Sequence, residues 1–207
     1  MTSESRPAIE AVLFDADGIL QFPVGSVHGW VSSMGRLGGP GFWREASAAE
    51  HLTLRGEADL RPLIEAILAR RGRDVAFEDV MRPWYDWRPR PEALAIVQRL
   101  RAAGVRCVLA TNQQSYRGAY MQATHGYQDL LDATFYSFEV GHAKPDAGFF
   151  AAIGAALDVP PERLLLVDDH RANIAGAIAA GLRGRYVPTS ATADDLARVL
   201  REEGLPA

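Results

Sequence analysis

Short apolar runs recur along the chain, and most are followed by a stretch of helical periodicity. The first run, "AVLFD" (11–15), has no polar alternation and reads as a strand covered on both faces. "PEALAIVQRLRAAG" (91–104) reads as a helix: Pro91 sits near its start, Leu94, Val97 and Leu100 share a face, and Gly104 is a stop signal. "VRCVLATN" is the next expected strand, with helical character resuming near Ser115. "ATFYSFEV" (133–140) is expected as a third strand, "PDAGFFAAIGAALDV" as a helix with Asp146 near its N-terminus, and "RLLLVDD" as a fourth strand. "ANIAGAIAAG" is a helix ending at Gly181, "GRYVP" a fifth strand, and "TADDLARVLREEG" a closing helix with Thr192 and Asp195 in capping-box spacing. Strand–helix–strand repetition at this spacing predicts an α/β fold, a Rossmann-like doubly wound parallel sheet with helices on both faces.

The stretch from about Gln21 to Arg90 breaks the rhythm. It offers no convincing apolar strand. It opens with glycines and aromatics in "FPVGSVHGWVSSMGRLGGPGFW" and continues in helical patterns such as "LRPLIEAILARRG". We therefore expect a small helical cap subdomain over 21–90, inserted after the first strand, and an α/β core formed by 1–20 and 91–207. "WRPRPE" (87–92) reads as the return linker, because repeated prolines favour extended backbone.

Composition narrows the functional classes. Of 207 residues, 48% are hydrophobic and 23% charged, which suits a folded domain with a sizeable core. The net charge of −4 argues against a nucleic-acid scaffold, which needs a basic face. The single cysteine, Cys107, lies in the apolar run "GVRCVLA" and reads as a small hydrophobe, so neither a disulfide framework nor paired zinc-ligand spacing is expected. The N-terminal "MTSESRPAIE" lacks an apolar signal core, and no run reaches the ~18 apolar residues of a membrane span. A cytoplasmic protein with no membrane partner, monomeric or homodimeric, is the expectation.

Ligands of an open parallel sheet bind beyond the carboxyl ends of its strands. The first strand delivers Asp15 and Asp17 there, the second Thr111 and Asn112. Lys144 follows the third, and the fourth delivers Asp168 and Asp169, with Asn173 close behind. Singly, each has a bland reading: a helix cap, a turn, a solvated lysine. Their occurrence at successive strand ends points to one crevice. Four carboxylates there cannot all stay ionised without compensation. A hard divalent cation supplies it, and Mg²⁺ favours a few carboxylates with water and phosphate oxygens. Thr111, Asn112 and Lys144 offer a hydroxyl, an amide and a cation suited to phosphoryl oxygens.

In this ordered set the chain resembles the haloacid dehalogenase (HAD) superfamily. "FDADGIL" is similar to its first motif, "LATN" to the second, "AKPD" to the third and "LLLVDDHRANIAGA" to the fourth, so the likeness covers nearly the whole chain. The insertion resembles a C1-type cap. "LRGEADL" (54–60) is similar to a cap segment of the glucose-1-phosphate phosphatase-like and epoxide hydrolase phosphatase-domain subgroup. The resemblance implies Asp15 as a nucleophile that forms an aspartyl-phosphate, and Asp17 as the acid and base. It further implies Mg²⁺ held by Asp15, the Asp17 carbonyl, Asp169 and Asp168. Thr111 and Lys144 would hold phosphoryl oxygens, with Asn112 helping through its backbone and Asn173 supporting. The cap is small, so the expected substrate is compact, a phosphorylated metabolite such as a sugar phosphate.

Dehalogenases of this superfamily lack an aspartate two residues after the nucleophile, so Asp17 favours phosphoryl transfer over 2-haloacid dehalogenation. Phosphomutases share the motifs, which do not report the lifetime of the intermediate. A non-catalytic ligand-binding or regulatory member is the alternative from another class. Within the cap, His28, Trp43 and Arg44, along with Trp30, are the expected contacts to the leaving group, because they lie in its glycine-rich early part. Packing for the tryptophans and a surface role for His28 and Arg44 are the competing readings. "WYDW" (84–87) is expected to staple the cap to the core.

Overall fold

The computed structural model describes residues 7–207; the start of the polar N-terminal stretch, residues 1–6, lies outside the described residues. Strand β1 (Ala11–Phe14) is followed by the short β2 (Gln21–Pro23) and four helices, α1 (Val27–Gly38), α2 (Phe42–His51), α3 (Leu60–Arg70) and α4 (Phe77–Tyr85). The chain returns through β3 (Trp87–Pro89), then runs α5 (Pro91–Ala102), β4 (Arg106–Thr111), α6 (Ser115–Thr124), α7 (Tyr127–Leu130), β5 (Ala133–Tyr136), α8 (Ser137–Val140) and α9 (Ala147–Leu157). It finishes with β6 (Leu164–Asp168), α10 (Arg171–Ala179), β7 (Arg183–Tyr186) and α11 (Ala193–Glu202).

Five of the strands form a parallel sheet in the order β5-β4-β1-β6-β7. β1 is central, its Phe14 level with Leu109 on one side and Val167 on the other. Its four residues are all buried because both faces are covered, as an unalternating apolar run requires. Val12 and Phe14 pack with residues of α5 and α11, while Ala11 and Leu13 pack with residues of α9 and α10. The strand order reverses between β1 and β6, the switch point where such sheets bind ligands.

α1 to α4 enclose an apolar cluster of their own that includes Met34, Phe42, Ile64, Val80 and Trp84. The expectation of no strand between 21 and 90 is corrected: β2 and β3 pair antiparallel, with Phe22 opposite Arg88. Each has three residues and its partner is distant in sequence, so no local periodicity announces the pair.

The third strand is also shorter than expected. It stops at Tyr136, and Ser137–Val140 form a helical turn closed by Gly141 at φ 76°. The buried Ser137 hydroxyl accepts from the Gln113 backbone N–H and donates to its carbonyl, which fixes that turn beside β4. α7 is a single four-residue turn, too short for a helical periodicity to announce it. The capping box at Thr192 and Asp195 is present at the head of α11. Cys107 is buried, and burial pushes its thiol up to about 12, consistent with a packing role. Among the described residues no helix is long and apolar enough to cross a membrane.

Candidate active site

The carboxyl ends of β1, β4 and β6 open onto a cavity of about 670 Å³. Asp15, Asp17, Thr111, Asn112, Lys144 and Asn173 line it, so residues far apart in sequence share one space. Asp168 ends β6 directly behind it, with Asp169 next in the chain.

Lys144 organises the floor. Its buried Nζ lies 2.9 Å from Asp15 Oδ1 and donates to Asp168 Oδ2 at 2.6 Å. Burial pushes the Lys144 amine down, but the flanking Asp15 and Asp168 carboxylates outweigh it and hold the amine above its usual value. Asn112 places this lysine by gripping its backbone: the amide Nδ2 donates to the Lys144 carbonyl at 2.8 Å, and the Lys144 N–H donates to Oδ1 at 2.9 Å. The Asn112 side chain is thereby committed to the loop, leaving its backbone for any ligand. Asp168 accepts from Lys144, from Asn173 Nδ2 at 3.0 and 3.1 Å and from the His170 N–H at 2.7 Å. It therefore fixes both the lysine and the head of α10.

Asp15 Oδ1 also accepts from the Ala16 N–H at 2.8 Å. Burial pushes its carboxyl up to about 8; Asp168 and Asp17 add to that, and Lys144 opposes it. Oxygens of Asp15, Asp168 and Asp169 lie within 4.8 Å of one another. Asp169 Oδ2 accepts from Thr189 Oγ1 at 2.7 Å, while its buried Oδ1 receives no hydrogen bond and has the His170 imidazole Nε2 3.7 Å away. Burial raises the Asp169 carboxyl as well, with Asp168 and Asp17 adding. A buried acceptor without a donor, inside a crowd of carboxylates, is the donor set a hard divalent cation needs. The residues fit Mg²⁺.

Asp17 differs. Arg117 of α6 grips it with both terminal nitrogens, Nη1 to Oδ2 at 2.5 Å and Nη2 to Oδ1 at 2.7 Å. Gln21 Nε2 donates to Oδ1 at 2.7 Å, and Gln113 Nε2 to Oδ2 at 3.3 Å. Burial alone would raise the Asp17 carboxyl, but Arg117 and the two amides outweigh it and hold the carboxyl below the usual range. Arg117, Gln113 and Gln21 escape the sequence reading, since none of them belongs to a motif and each has the local pattern of an ordinary polar side chain.

The roof comes from the end of α2 and the loop after it: Glu50, His51, Leu52, Leu54, Arg55 and Glu57. Arg55 pairs with Asp146 of the core. Burial pushes the Glu50 carboxyl up to about 7, with the Arg117 charge opposing. His28, Trp43 and Arg44, the expected contacts to the leaving group, are not among the residues lining the cavity. His28 is exposed on α1. Trp43 packs against the helical cluster with the Arg44 guanidinium 5.4 Å from its ring centre, and Trp30 meets Trp84 edge-on at 5.9 Å. Trp43 and Arg44 begin α2, roughly 10 Å along the axis from Glu50 at 1.5 Å per residue, and it is the other end that meets the core. "LRGEADL" held the usable signal, since Leu54, Arg55 and Glu57 all line the cavity.

A family model for haloacid dehalogenase-like hydrolases matches residues 9–181. Among curated proteins, a phosphoglycolate phosphatase of Cereibacter sphaeroides is 30% identical over 83% of this chain and 82% of its own length. Protein CbbY of the same species is 27% identical over 84% and 82%. A HAD family enzyme of Bacteroides thetaiotaomicron, solved as a magnesium complex, superposes with a TM-score of 0.80 at 17% identity, covering 93% of this chain and all (100%) of that one. An L-2-haloacid dehalogenase of Xanthobacter autotrophicus superposes at 0.64 with 23% identity over 94% and 83%. At such identities the structural likenesses show a shared fold. With the family match spanning most of the sequence, the chain belongs to the haloacid dehalogenase-like hydrolases.

Proposed function

We propose that this hydrolase is a Mg²⁺-dependent phosphatase, removing the phosphoryl group of a small metabolite, such as a sugar phosphate, through an aspartyl-phosphate on Asp15. The observation that carries the reading is the pairing of Asp15 with Asp17 in one cavity, beside a buried lysine and a carboxylate cluster suited to a cation. The phosphatase name of the 30%-identical relative supports it. So does Asp17 itself, since halide displacement from carbon needs no acid at that position. Asp15, Asp168 and Asp169, with the Asp17 carbonyl, would hold the ion, which when bound offsets the repulsion between the Asp15 anion and an anionic phosphoryl group.

In the first step a carboxylate oxygen of Asp15 forms a bond to phosphorus as the bond to the leaving oxygen breaks. Asp17 gives that oxygen its proton. In the second, Asp17 takes a proton from water, whose oxygen attacks phosphorus and releases phosphate and the Asp15 carboxylate. Lys144 and Thr111 face the phosphoryl oxygens, over which the charge of the transferring group is spread. The insertion over 21–90 acts as the cap, closing the cavity against water through the end of α2 and the following loop. Its roof is formed by a few side chains, Leu52 and Leu54 among them, which suits a compact leaving group.

The Asp15→Asn variant tests the reading. It is expected to fold as the wild type does and to lose all detectable hydrolysis of p-nitrophenyl phosphate. Retained turnover would remove Asp15 from the role of nucleophile.

A further inference from the structure

The hydrogen bonds around Asp17 raise a problem for its role. A carboxylate has about four acceptor sites. All four are taken: Oδ1 by Gln21 and Arg117, Oδ2 by Gln113 and Arg117. So clamped, Asp17 carries no proton to give and has no free lone pair to receive one from water. The clamp has to open during the cycle. A guanidinium leaving Asp17 while buried needs another acceptor, because a buried charge without a partner is costly.

Two features bear on which group that acceptor is. Arg117 is only 4% exposed, yet its Nε–H has no hydrogen-bond partner, so the guanidinium keeps an unused donor. Among the residues lining the same cavity, Asp15, Asp17 and Asp146 already have cationic partners. Glu57 is exposed to solvent. Glu50, in the last turn of α2, is half-buried and takes part in no ion pair among the described residues.

We propose that Glu50 is a positioning residue that accepts the Arg117 guanidinium from Asp17, so that engagement of the inserted helices with a bound substrate frees Asp17 to exchange its proton. The inference rests on the reading of Asp17 as acid and base. Glu50 acts through Arg117 and need not touch the substrate. The raised Glu50 carboxyl is in keeping with a group that gains when the guanidinium arrives.

The test uses kcat/KM for two substrates of similar shape, p-nitrophenyl phosphate, whose leaving phenolate needs no proton, and phenyl phosphate, whose leaving group does. In Glu50→Gln, Arg117 should remain on Asp17. The loss on phenyl phosphate is then expected to exceed the loss on p-nitrophenyl phosphate about tenfold, within the range that acid–base assistance supplies. Adding Arg117→Met removes the clamp, and the double variant is expected to recover the wild-type ratio of the two substrates to within about twofold. Should that variant fail to fold, Arg117→Lys, which cannot grip both oxygens, takes its place and is expected to make the ratio insensitive to Glu50→Gln.

Equal losses on both substrates in Glu50→Gln, or a ratio that removing the clamp does not restore, would overturn the proposal. Asp17→Asn separates the two levels. If that variant does not shift the ratio, the role of Asp17 itself fails. If it shifts the ratio and Glu50→Gln does not, only the exchange fails.

Discussion

The backbone at Gly18 lies hard against the acidic cluster. Its φ of 78° lies in the left-handed region, and a Cβ there would stand 2.3 Å from Asp169 Oδ2 and 3.2 Å from Thr189 Oγ1. A side chain at this position would push Asp169 off the oxygen arrangement it shares with Asp15 and Asp168. We therefore expect Gly18→Ala to raise the Mg²⁺ concentration for half-maximal activity about tenfold, as loss of a ligand-orienting contact does. It should also lower stability by about 1–2 kcal/mol, measured by denaturant unfolding. Unchanged metal dependence would show that Asp169 tolerates displacement. The glycine was legible as part of "FDADGIL", because two aspartates and a glycine after an apolar run are an unusual ending for a strand. Its contact with Asp169 was not, since that depends on two strands distant in sequence lying side by side. Arg117 was hidden for a like reason: a buried arginine on a helix has the same local pattern as a solvated one until its partner is placed.

At the scale of elements, the sheet and its helices were readable because β1, β4 and β6 are buried apolar runs and helices such as α5 and α11 open on residues suited to a helix start, Pro91 and Thr192. What could not be read was which end of an inserted helix meets the core. Glycine-rich composition drew attention to residues 25–44, whereas the loop after α2 makes the contact. Gly56 shows how close that contact is. At φ 73°, its Cβ would lie 2.4 Å from the Phe138 carbonyl oxygen of α8. Gly56→Ala is expected to lift the loop from the core and raise KM for p-nitrophenyl phosphate several-fold, to about the extent that small misplacements near a site produce. The Mg²⁺ dependence should stay unchanged, because the carboxylates belong to other elements. Steady-state kinetics over a Mg²⁺ titration would separate the two effects, and a wild-type KM would count against the loop as part of the binding surface.

For the molecule as a whole, the acidic cluster couples stability to pH and to metal. Asp15 rises from 3.8 to about 8 on folding without an ion, so across that interval the folded form holds a proton that the unfolded chain has released. Stability of the metal-free protein is thus expected to fall as pH rises from about 4 towards 8. Mg²⁺ held as proposed would compete with that proton and favour the folded form, so the rise in melting temperature on adding Mg²⁺ should be larger at pH 8 than at pH 6. Thermal melts in EDTA and in Mg²⁺ at the two pH values would check this, and an equal shift at both would detach Asp15 from the ion. The β2–β3 ribbon has a consequence at this scale too. Because Pro23 pairs with Trp87, the two ends of the helical insertion stand roughly 5 Å apart. A segment spliced in through so narrow a gate can lengthen, shrink or be exchanged without moving the strands beneath it. Selection for new leaving groups is then free to rebuild the roof while the phosphoryl-handling floor keeps its alignment.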